Sequence, residues 1–176
     1  YFCCSNLQQL RYFLELAYNG KNYFGYQIQP NQISVQEVIE DRLSKILRKP
    51  ISIVVAGRTD SGVHAKKMFV HFDYDEVLNK DLIKKLNSFL PKDIAVYRLF
   101  LMDNEAHARF DATSRSYNYF ISPFKDAFAF DSAWIFSRDL DMDKMNEAGK
   151  LLIKQADFGS FAKLHTDVKT NICDVR

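Results

Sequence analysis

The sequence predicts an α+β fold, and three observations support this prediction. Several short segments alternate apolar with polar residues, which is typical of β-strands that are covered on one face. Two longer segments carry apolar residues at helical spacing. Over residues 11–101 these segments follow the order β-α-β-β-α-β. The chain has 176 residues, of which 47% are hydrophobic and 26% charged, so it can bury a core as one domain or as two small halves.

The first half is predicted to begin with a strand over residues 11–18, RYFLELAY. A helix is predicted over 34–49, because Ser34 and Glu37 form a capping-box pattern and Pro50 prevents the helix from continuing. The remaining predicted elements are strands over 51–56 and 67–74, a helix over 79–90 and a strand over 93–101. This order is the ferredoxin-like arrangement.

The pattern begins again in the second part of the chain. A strand is predicted over 113–122, a short apolar run occupies 133–136, a helix is predicted over 141–155 and the beginning of a strand over 170–176. We therefore expect two ferredoxin-like halves, one over 1–104 and an incomplete one over 105–176. We expect them to share one mixed, mostly antiparallel sheet with the helices on one face.

The composition argues against several classes of protein. Three cysteines, at positions 3, 4 and 173, form neither a disulfide framework nor a zinc-binding spacing, and the four histidines show no metal-ligand spacing. No apolar run approaches the roughly 20 residues that cross a bilayer, and the N-terminus does not read as a signal peptide. We therefore expect a cytoplasmic protein that uses no metal or other cofactor. The net charge of +2 permits a nucleic-acid partner but does not require one.

The loop GRTDSGVH, residues 57–64, is the candidate site. A polar turn is the simplest interpretation, because Asp60, Ser61 and the glycines all favour turns. However, the loop is longer than a tight hairpin requires, and its flanking strands would hold it in place. Arg58 lies two residues from Asp60, and a nearby cation would favour the ionised carboxylate. An ionised aspartate can attack an electrophilic carbon without a metal.

Several segments, in the same order along the chain, resemble the tRNA pseudouridine synthase A family. The resemblance extends over nearly all of the chain from residue 11 onward and is much more specific than one short motif. The segments are LAYNGKNYFGYQIQP at 16–30, SVQEVIE at 34–40, AGRTDSGVHA at 56–65, LPKDIAV at 90–96, HARFDATSRSYNY at 107–119 and DFGSFAK at 157–163.

The resemblance implies the pseudouridine synthase fold and a role for several residues. Asp60 matches the catalytic residue, which helps break the bond between uracil N1 and ribose C1′; attack on the sugar, attack on the base and proton removal from the ribose all remain open. Arg58 matches the residue associated with everting the target nucleotide from the RNA stack. Tyr117 matches the tyrosine that stacks on the uracil and is associated with removal of the C5 proton. The RNA-binding candidates also include Arg109, Arg115, His64 and Lys21.

The family acts on uridines 38–40 of the tRNA anticodon stem-loop and forms homodimers, so the resemblance implies the same substrate and assembly here. Tyr26 stands where the family usually has tryptophan. The family continues beyond the last residue of this chain with an arginine that pairs with the catalytic aspartate. We therefore expect the chain as given to have little or no activity.

Two alternatives remain for comparison. A non-catalytic RRM-like RNA-binding module has the same element order, and FVHF at 69–72 matches the end of its aromatic signature. Upstream of that ending the signature requires glycine and an aromatic residue, but the chain has Lys66, Lys67 and Met68 there. A glycoside hydrolase would require a second carboxylate facing the substrate, and Asp60 has no evident partner.

Overall fold

The computed structural model describes residues 9–129, 131–162 and 170–176. The chain forms two compact units that meet in sequence between Asn118 and Tyr119. No helix among the described residues is long and apolar enough to cross a membrane.

The first unit contains a four-stranded antiparallel sheet and two helices. Its elements are β1 (Leu10–Tyr18), α1 (Val35–Leu47), β2 (Val54–Val55), β3 (Ala65–Tyr74), α2 (Asp81–Phe89) and β4 (Ile94–Met102), with a 3-10 turn at Gly20–Asn22. The strands lie in the order β2-β3-β1-β4, and each pairs with its neighbours in antiparallel fashion. The structure therefore confirms a mixed α+β fold with an antiparallel sheet.

One face of the sheet contributes to the core of this unit. Every second residue of β1 from Tyr12 to Tyr18 is buried, and the antiparallel register pairs Leu14 with Val70 of β3. Residues of both helices belong to the same buried cluster, including Ile39 of α1 and Leu86 of α2. Alternating apolar residues and helical apolar stripes thus reflect burial against a common core.

The two ends of α1 follow from local chemistry. Ser34 Oγ accepts a hydrogen bond from Glu37 N–H at 3.2 Å, which confirms the predicted N-cap. The helix ends at Leu47, two residues earlier than predicted, where Arg48 takes a left-handed conformation with φ of 55°.

The predicted strand at 51–56 is much shorter in the structure. Only Val54–Val55 pair with β3, although Ile51 and Ile53 are buried as the alternation predicts. The backbone N–H groups of Ile51 and Ile53 donate instead to side chains of α1, Ser44 Oγ and Glu40 Oε1, both at 2.8 Å. Because side chains of α1 accept these hydrogen bonds, the N–H groups of Ile51 and Ile53 do not require a neighbouring strand.

The second unit contains less regular structure than predicted. Its elements are β5 (Ile121–Ser122), β6 (Trp134–Ile135), α3 (Met142–Ile153) and a 3-10 turn at Gly159–Phe161, and β5 pairs with β6 in parallel. The helix predicted over 141–155 is confirmed, with its ends shifted by one or two residues. The strand predicted over 113–122 is wrong except for its last two residues, since no described strand pairs with 113–120.

The strand predicted over 170–176 is also wrong, because Ile172 forms only an isolated bridge with Asp157. Lys163, at the end of the motif DFGSFAK, lies outside the described residues.

Candidate active site

The loop between β2 and β3 carries Asp60. Ala56 N–H donates to Phe69 O at 2.8 Å, which extends the pairing of β2 with β3 by one residue into the loop. Val63 N–H donates to Asp60 O at 3.2 Å and closes a turn around Ser61 and Gly62. The paired strands therefore support the loop on both sides of Asp60.

The loop that follows β1, residues 19–26, holds the Asp60 loop by a second set of contacts. Three of these contacts use backbone N–H groups as donors and one uses a serine hydroxyl. The hydrogen bonds run from Gly20 N–H to His64 Nδ1 (3.0 Å), from Tyr26 N–H to Thr59 O (3.0 Å), and from Gly62 N–H and Ser61 Oγ–H to Tyr23 O (both 3.3 Å). Because they fall before and after Asp60, they fix the backbone on either side of it.

Two glycines allow these loops to approach so closely. A Cβ added to Gly20 would lie 2.0 Å from Val63 O, a distance no side chain can occupy. Gly25 has a φ of +91°, and a Cβ there would lie 2.9 Å from Thr59 O. The first position needs glycine for space, and the second needs it for both space and backbone conformation.

Tyr18, the last residue of β1, contacts the Asp60 loop through its hydroxyl. Its hydroxyl is 2.8 Å from Thr59 Oγ1, and the residue is only 4% exposed. Burial raises the pKa of Tyr18, the bond to Thr59 lowers it, and the Tyr117 hydroxyl contributes a further increase. Tyr18 thus stays protonated at neutral pH, and Tyr117 is close enough to interact with it electrostatically.

The Asp60 carboxylate and the Arg58 guanidinium are both exposed to solvent. Neither forms a hydrogen bond or ion pair with another described residue. An ion pair between two solvated side chains gains little free energy, so their proximity in sequence does not lead to a pair. Both groups therefore remain available to a ligand.

A third segment, residues 104–117, is attached to the sheet by Arg11 of β1. The Arg11 guanidinium forms a bidentate ion pair with Asp73 of β3 at 2.8 and 2.9 Å and also donates to Ala106 O at 2.9 Å. This guanidinium holds the pKa of Asp73 below its ordinary value. The arrangement fixes the start of the segment against two strands at once.

His71 of β3 provides a second attachment for this segment. Its Nδ1 accepts a hydrogen bond from Ala108 N–H at 3.1 Å, and its ring stacks on Phe13 and meets the edge of His107. Burial, with smaller contributions from the neighbouring Arg11 and His107, lowers the pKa of His71 to about 4. The imidazole is therefore neutral at neutral pH, as an acceptor Nδ1 requires.

Arg115 joins this segment to the Asp60 loop. Its Nε and Nη2 donate to Ala56 O at 3.0 and 2.6 Å, and Nη2 also donates to Arg109 O at 3.0 Å. Ala56 begins the Asp60 loop, and Tyr117 follows Arg115 by two residues. One side chain thus connects the two segments that carry the predicted catalytic residues.

Comparison with known proteins identifies the family. The sequence profile of the family described as tRNA pseudouridine synthase matches residues 16–111. A protein of Parabacteroides distasonis named tRNA pseudouridine synthase A is 53% identical over 169 residues, covering 94% of this chain and 67% of the relative. The chain belongs to the tRNA pseudouridine synthase family.

Two further relatives with the same name extend the comparison. One from Bacteroides thetaiotaomicron is 50% identical over 94% of this chain and 62% of its own length. Another from Thermosipho africanus is 41% identical over 87% of this chain and 64% of its own length. The chain thus spans about two thirds of the length of the curated relatives it matches. The resemblance seen in the sequence is therefore confirmed, and family membership favours a pseudouridine synthase over the RRM-like alternative.

The predicted site residues fall into three segments of the first unit. The loop 19–26 contains Lys21, the Asp60 loop contains Arg58, Asp60 and His64, and the segment 104–117 contains Arg109, Arg115 and Tyr117. The contacts of Tyr18 and Arg115 bring these segments together. Within them, His64 is used to anchor Gly20, and Arg115 is used to bind backbone carbonyls.

Sequence reasoning missed three residues that build the site: Tyr18, His71 and Arg11. For Tyr18 there was a signal, because it ends the buried alternation of β1 immediately before the loop 19–26. His71 and Arg11 lie on the opposite face of the sheet from that alternation, where the polar positions of a strand are usually solvated. Only the position of the segment 104–117 on that face gives them a role.

Proposed function

We propose that this chain forms the Asp60-bearing part of an enzyme that isomerises uridine to pseudouridine at positions 38–40 of the tRNA anticodon stem-loop. Membership of the tRNA pseudouridine synthase family supports the reaction and the substrate class. One observation carries the assignment of the reactive group: an exposed carboxylate stands on a loop whose backbone is fixed on both sides by hydrogen bonds. Such preorganisation suits a group that must meet a reacting atom.

The reaction is a balanced rearrangement within one nucleotide. The bond between uracil N1 and ribose C1′ breaks, the base turns, and a new bond joins C5 to C1′. The proton on C5 is then lost and N1 gains a proton, so the product is an isomer of the substrate. In this proposal Asp60 promotes the first step, and no oxidant or reductant is required.

The target base must leave the helical stack before it can turn, which assigns tasks to other exposed residues. Arg58 is suited to occupying the vacated space, because a guanidinium can stack and hydrogen-bond. Tyr117, three quarters exposed, is suited to stacking on the everted uracil. Arg109, Lys21 and His64 are proposed to contribute to RNA binding.

The architecture proposed for the whole enzyme is the pseudouridine synthase fold, with two ferredoxin-like halves on a shared sheet and helices on one face. The strand order β2-β3-β1-β4 of the first unit supports the first half. The division at 104/105, with an incomplete second half over 105–176, remains a prediction. We also propose that the enzyme acts as a homodimer in the cytoplasm.

Tritium release from tRNA labelled at uridine C5 tests the function. The full-length protein should release tritium, because the C5 proton is lost in every turnover. Asp60→Asn keeps the size of the side chain but removes its charge and its nucleophilic oxygen, so this variant should release none. Its dissociation constant for tRNA should stay close to that of the wild type.

Asp41→Asn is a matched control, because it also neutralises one carboxylate but lies on α1 in ion pairs with Arg42 and Lys45. It should release tritium at the wild-type rate. Equal release by the wild type and Asp60→Asn would refute the assignment of Asp60. Binding of tRNA without tritium release by the wild type or by either variant would instead favour a non-catalytic RNA-binding module.

A further inference from the structure

The Arg115 guanidinium binds backbone carbonyls of the protein. Its three hydrogen bonds all go to neutral backbone carbonyls, two to Ala56 O and one to Arg109 O. The guanidinium forms no ion pair with any described acidic side chain. A charged donor makes stronger hydrogen bonds to carbonyls than a neutral one does, so Arg115 links its own segment strongly to Ala56.

The carbonyl that Arg115 binds belongs to a well-fixed residue. Ala56 N–H pairs with Phe69 O of β3 at 2.8 Å, so the backbone of Ala56 is part of the sheet. Four residues later the same loop reaches Asp60. Arg115 is therefore attached to the fixed base of the loop that carries the carboxylate.

The segment around Tyr117 depends on this attachment. Of residues 112–119, Arg115 alone forms hydrogen bonds to the rest of the described chain. No described strand pairs with residues 113–120, so a backbone ladder does not hold them. The position of Tyr117, two residues after Arg115, consequently depends on one guanidinium.

Gly57 supplies an independent observation. A Cβ at this position would lie 3.2 Å from Arg115 Nε and 3.3 Å from Arg115 Cδ. Those distances are tighter than ordinary van der Waals contact, so the loop backbone and the arginine side chain are packed directly together. The glycine leaves room for Arg115 at the position next to Ala56.

We propose that Arg115 is a positioning residue that sets the place of Tyr117 relative to the Asp60 loop by binding the Ala56 carbonyl. This inference rests on the proposed function, since it concerns the geometry of the same site. The competing role is that of a phosphate ligand, because Arg115 is exposed and carries a charge that tRNA could neutralise. The two roles differ in what they require: positioning needs the fork of a guanidinium on two carbonyls, whereas the salt dependence of a phosphate contact comes from any positive charge, lysine or arginine.

Single-turnover tritium release and tRNA affinity separate the two roles in the full-length protein. Arg115→Lys keeps the charge but not the fork, so it should slow single turnover by about 10- to 100-fold, as a misplacement near 1 Å does. Arg115→Gln should slow it as much, with the slope of log K against log[salt] unchanged. Gly57→Ala should also slow turnover, because it crowds Arg115 without altering any charge.

Arg48→Gln is the matched control for the loss of one positive charge. The helix α1 begins beside the site, where Gln36 N–H donates to Tyr26 O, and it runs for 13 residues, or about 20 Å, before Arg48. This variant should keep the wild-type rate. A salt slope for Arg115→Gln shallower by about 0.7 to 0.9 than that of the wild type would overturn the proposal, because that is the loss of one phosphate contact. A wild-type rate for Arg115→Lys would overturn it as well.

Limited trypsin digestion gives a readout that does not depend on activity. Loss of the Arg115 connection should speed cleavage after Arg109, whose carbonyl Arg115 also binds, and Arg115→Lys should show this at unchanged thermal stability. Unchanged cleavage would overturn the positioning role. If the wild-type protein released no tritium, the proposed function would fail, while the digestion would still decide the role of Arg115.

Discussion

Two buried tyrosines in the first unit should respond in opposite ways to the removal of one oxygen atom. Tyr26 and Tyr12 are each 1% exposed. The Tyr26 hydroxyl has no hydrogen-bond partner among the described residues, whereas the Tyr12 hydroxyl donates to Glu76 O at 3.1 Å and accepts from Leu78 N–H at 3.0 Å. Phenylalanine at each position keeps the ring and removes only the hydroxyl. We expect Tyr26→Phe to stabilise the protein and Tyr12→Phe to destabilise it.

The expected magnitudes follow from the hydrogen bonds. A buried polar group without a partner costs about 1–3 kcal/mol, so removing the Tyr26 hydroxyl should raise the free energy of unfolding by about 1 kcal/mol. Removing the Tyr12 hydroxyl leaves a carbonyl and an amide without their partner, which should lower that free energy by about 1–3 kcal/mol. The two variants should therefore differ by roughly 2–4 kcal/mol.

Urea unfolding followed by circular dichroism measures this difference. With an m-value of about 2 kcal/mol per M, the midpoint for Tyr26→Phe should rise by about 0.5 M and that for Tyr12→Phe should fall by at least as much. The m-values themselves should not change, because neither substitution alters the surface exposed on unfolding. If Tyr26→Phe proved as destabilising as Tyr12→Phe, the Tyr26 hydroxyl would be satisfied in solution and the reasoning would be refuted.

Three further predictions concern two glycines and the pH dependence of stability. Gly20→Ala should lower the free energy of unfolding by about 1–3 kcal/mol and slow tritium release, because the added methyl collides with Val63 O. Gly149→Ala should instead raise the free energy of unfolding by about 1 kcal/mol in a parallel urea titration. Gly149 lies in the middle of α3, where a Cβ would have no atom within 4 Å and alanine favours the helix. His71 has a folded-state pKa of about 4, below its ordinary value of 6.5, so the stability it contributes is present above pH 6.5 and is lost as the pH falls towards 4. A His71→Phe variant should lose that part of the pH dependence, and an unchanged profile between pH 6.5 and 4 would contradict the burial of a neutral imidazole at this position.

The parts of the fold that could be predicted from the sequence are those in which burial alone decides the structure. The alternation from Tyr12 to Tyr18 predicts β1 correctly because each buried residue faces the same core. Ser34 predicts the start of α1 correctly because its hydroxyl satisfies an N–H group that the helix leaves free. These signals are local, so neighbouring residues in sequence are enough to express them.

The failures occur where a strand requires a partner that the local sequence does not encode. Tyr117, Tyr119 and Ile121 alternate as a strand should, yet only Ile121–Ser122 pair with another strand. In the segment 51–56 the alternation predicts burial correctly, but side chains of α1 take two of the backbone donors. Periodicity therefore reports which face is covered more reliably than it reports hydrogen bonding.

The candidate loop shows the same division. Its residue types predict Asp60 as a candidate catalytic residue, but the contacts that hold the loop join residues about 40 positions apart, such as Tyr18 with Thr59 and Gly20 with His64. No periodic pattern announces such contacts. They arise because β1 and β3 are antiparallel neighbours, which places the loop after β1 beside the loop before β3.

Three aspartates of the first unit, Asp60, Asp73 and Asp93, differ in how their carboxylates are used. Asp73 is occupied by the Arg11 guanidinium, and Asp93 accepts hydrogen bonds from the Tyr23 hydroxyl at 2.7 Å and from Asn22 at 3.2 Å. Asp60 has a backbone as well anchored as theirs, but its carboxylate has no protein partner among the described residues. A structural aspartate uses its oxygens to hold the chain, whereas in this loop glycines, carbonyls and a tyrosine hold the chain and leave the oxygens of Asp60 available. This separation of tasks distinguishes Asp60 from Asp73 and Asp93 and supports the proposal that Asp60 meets the substrate.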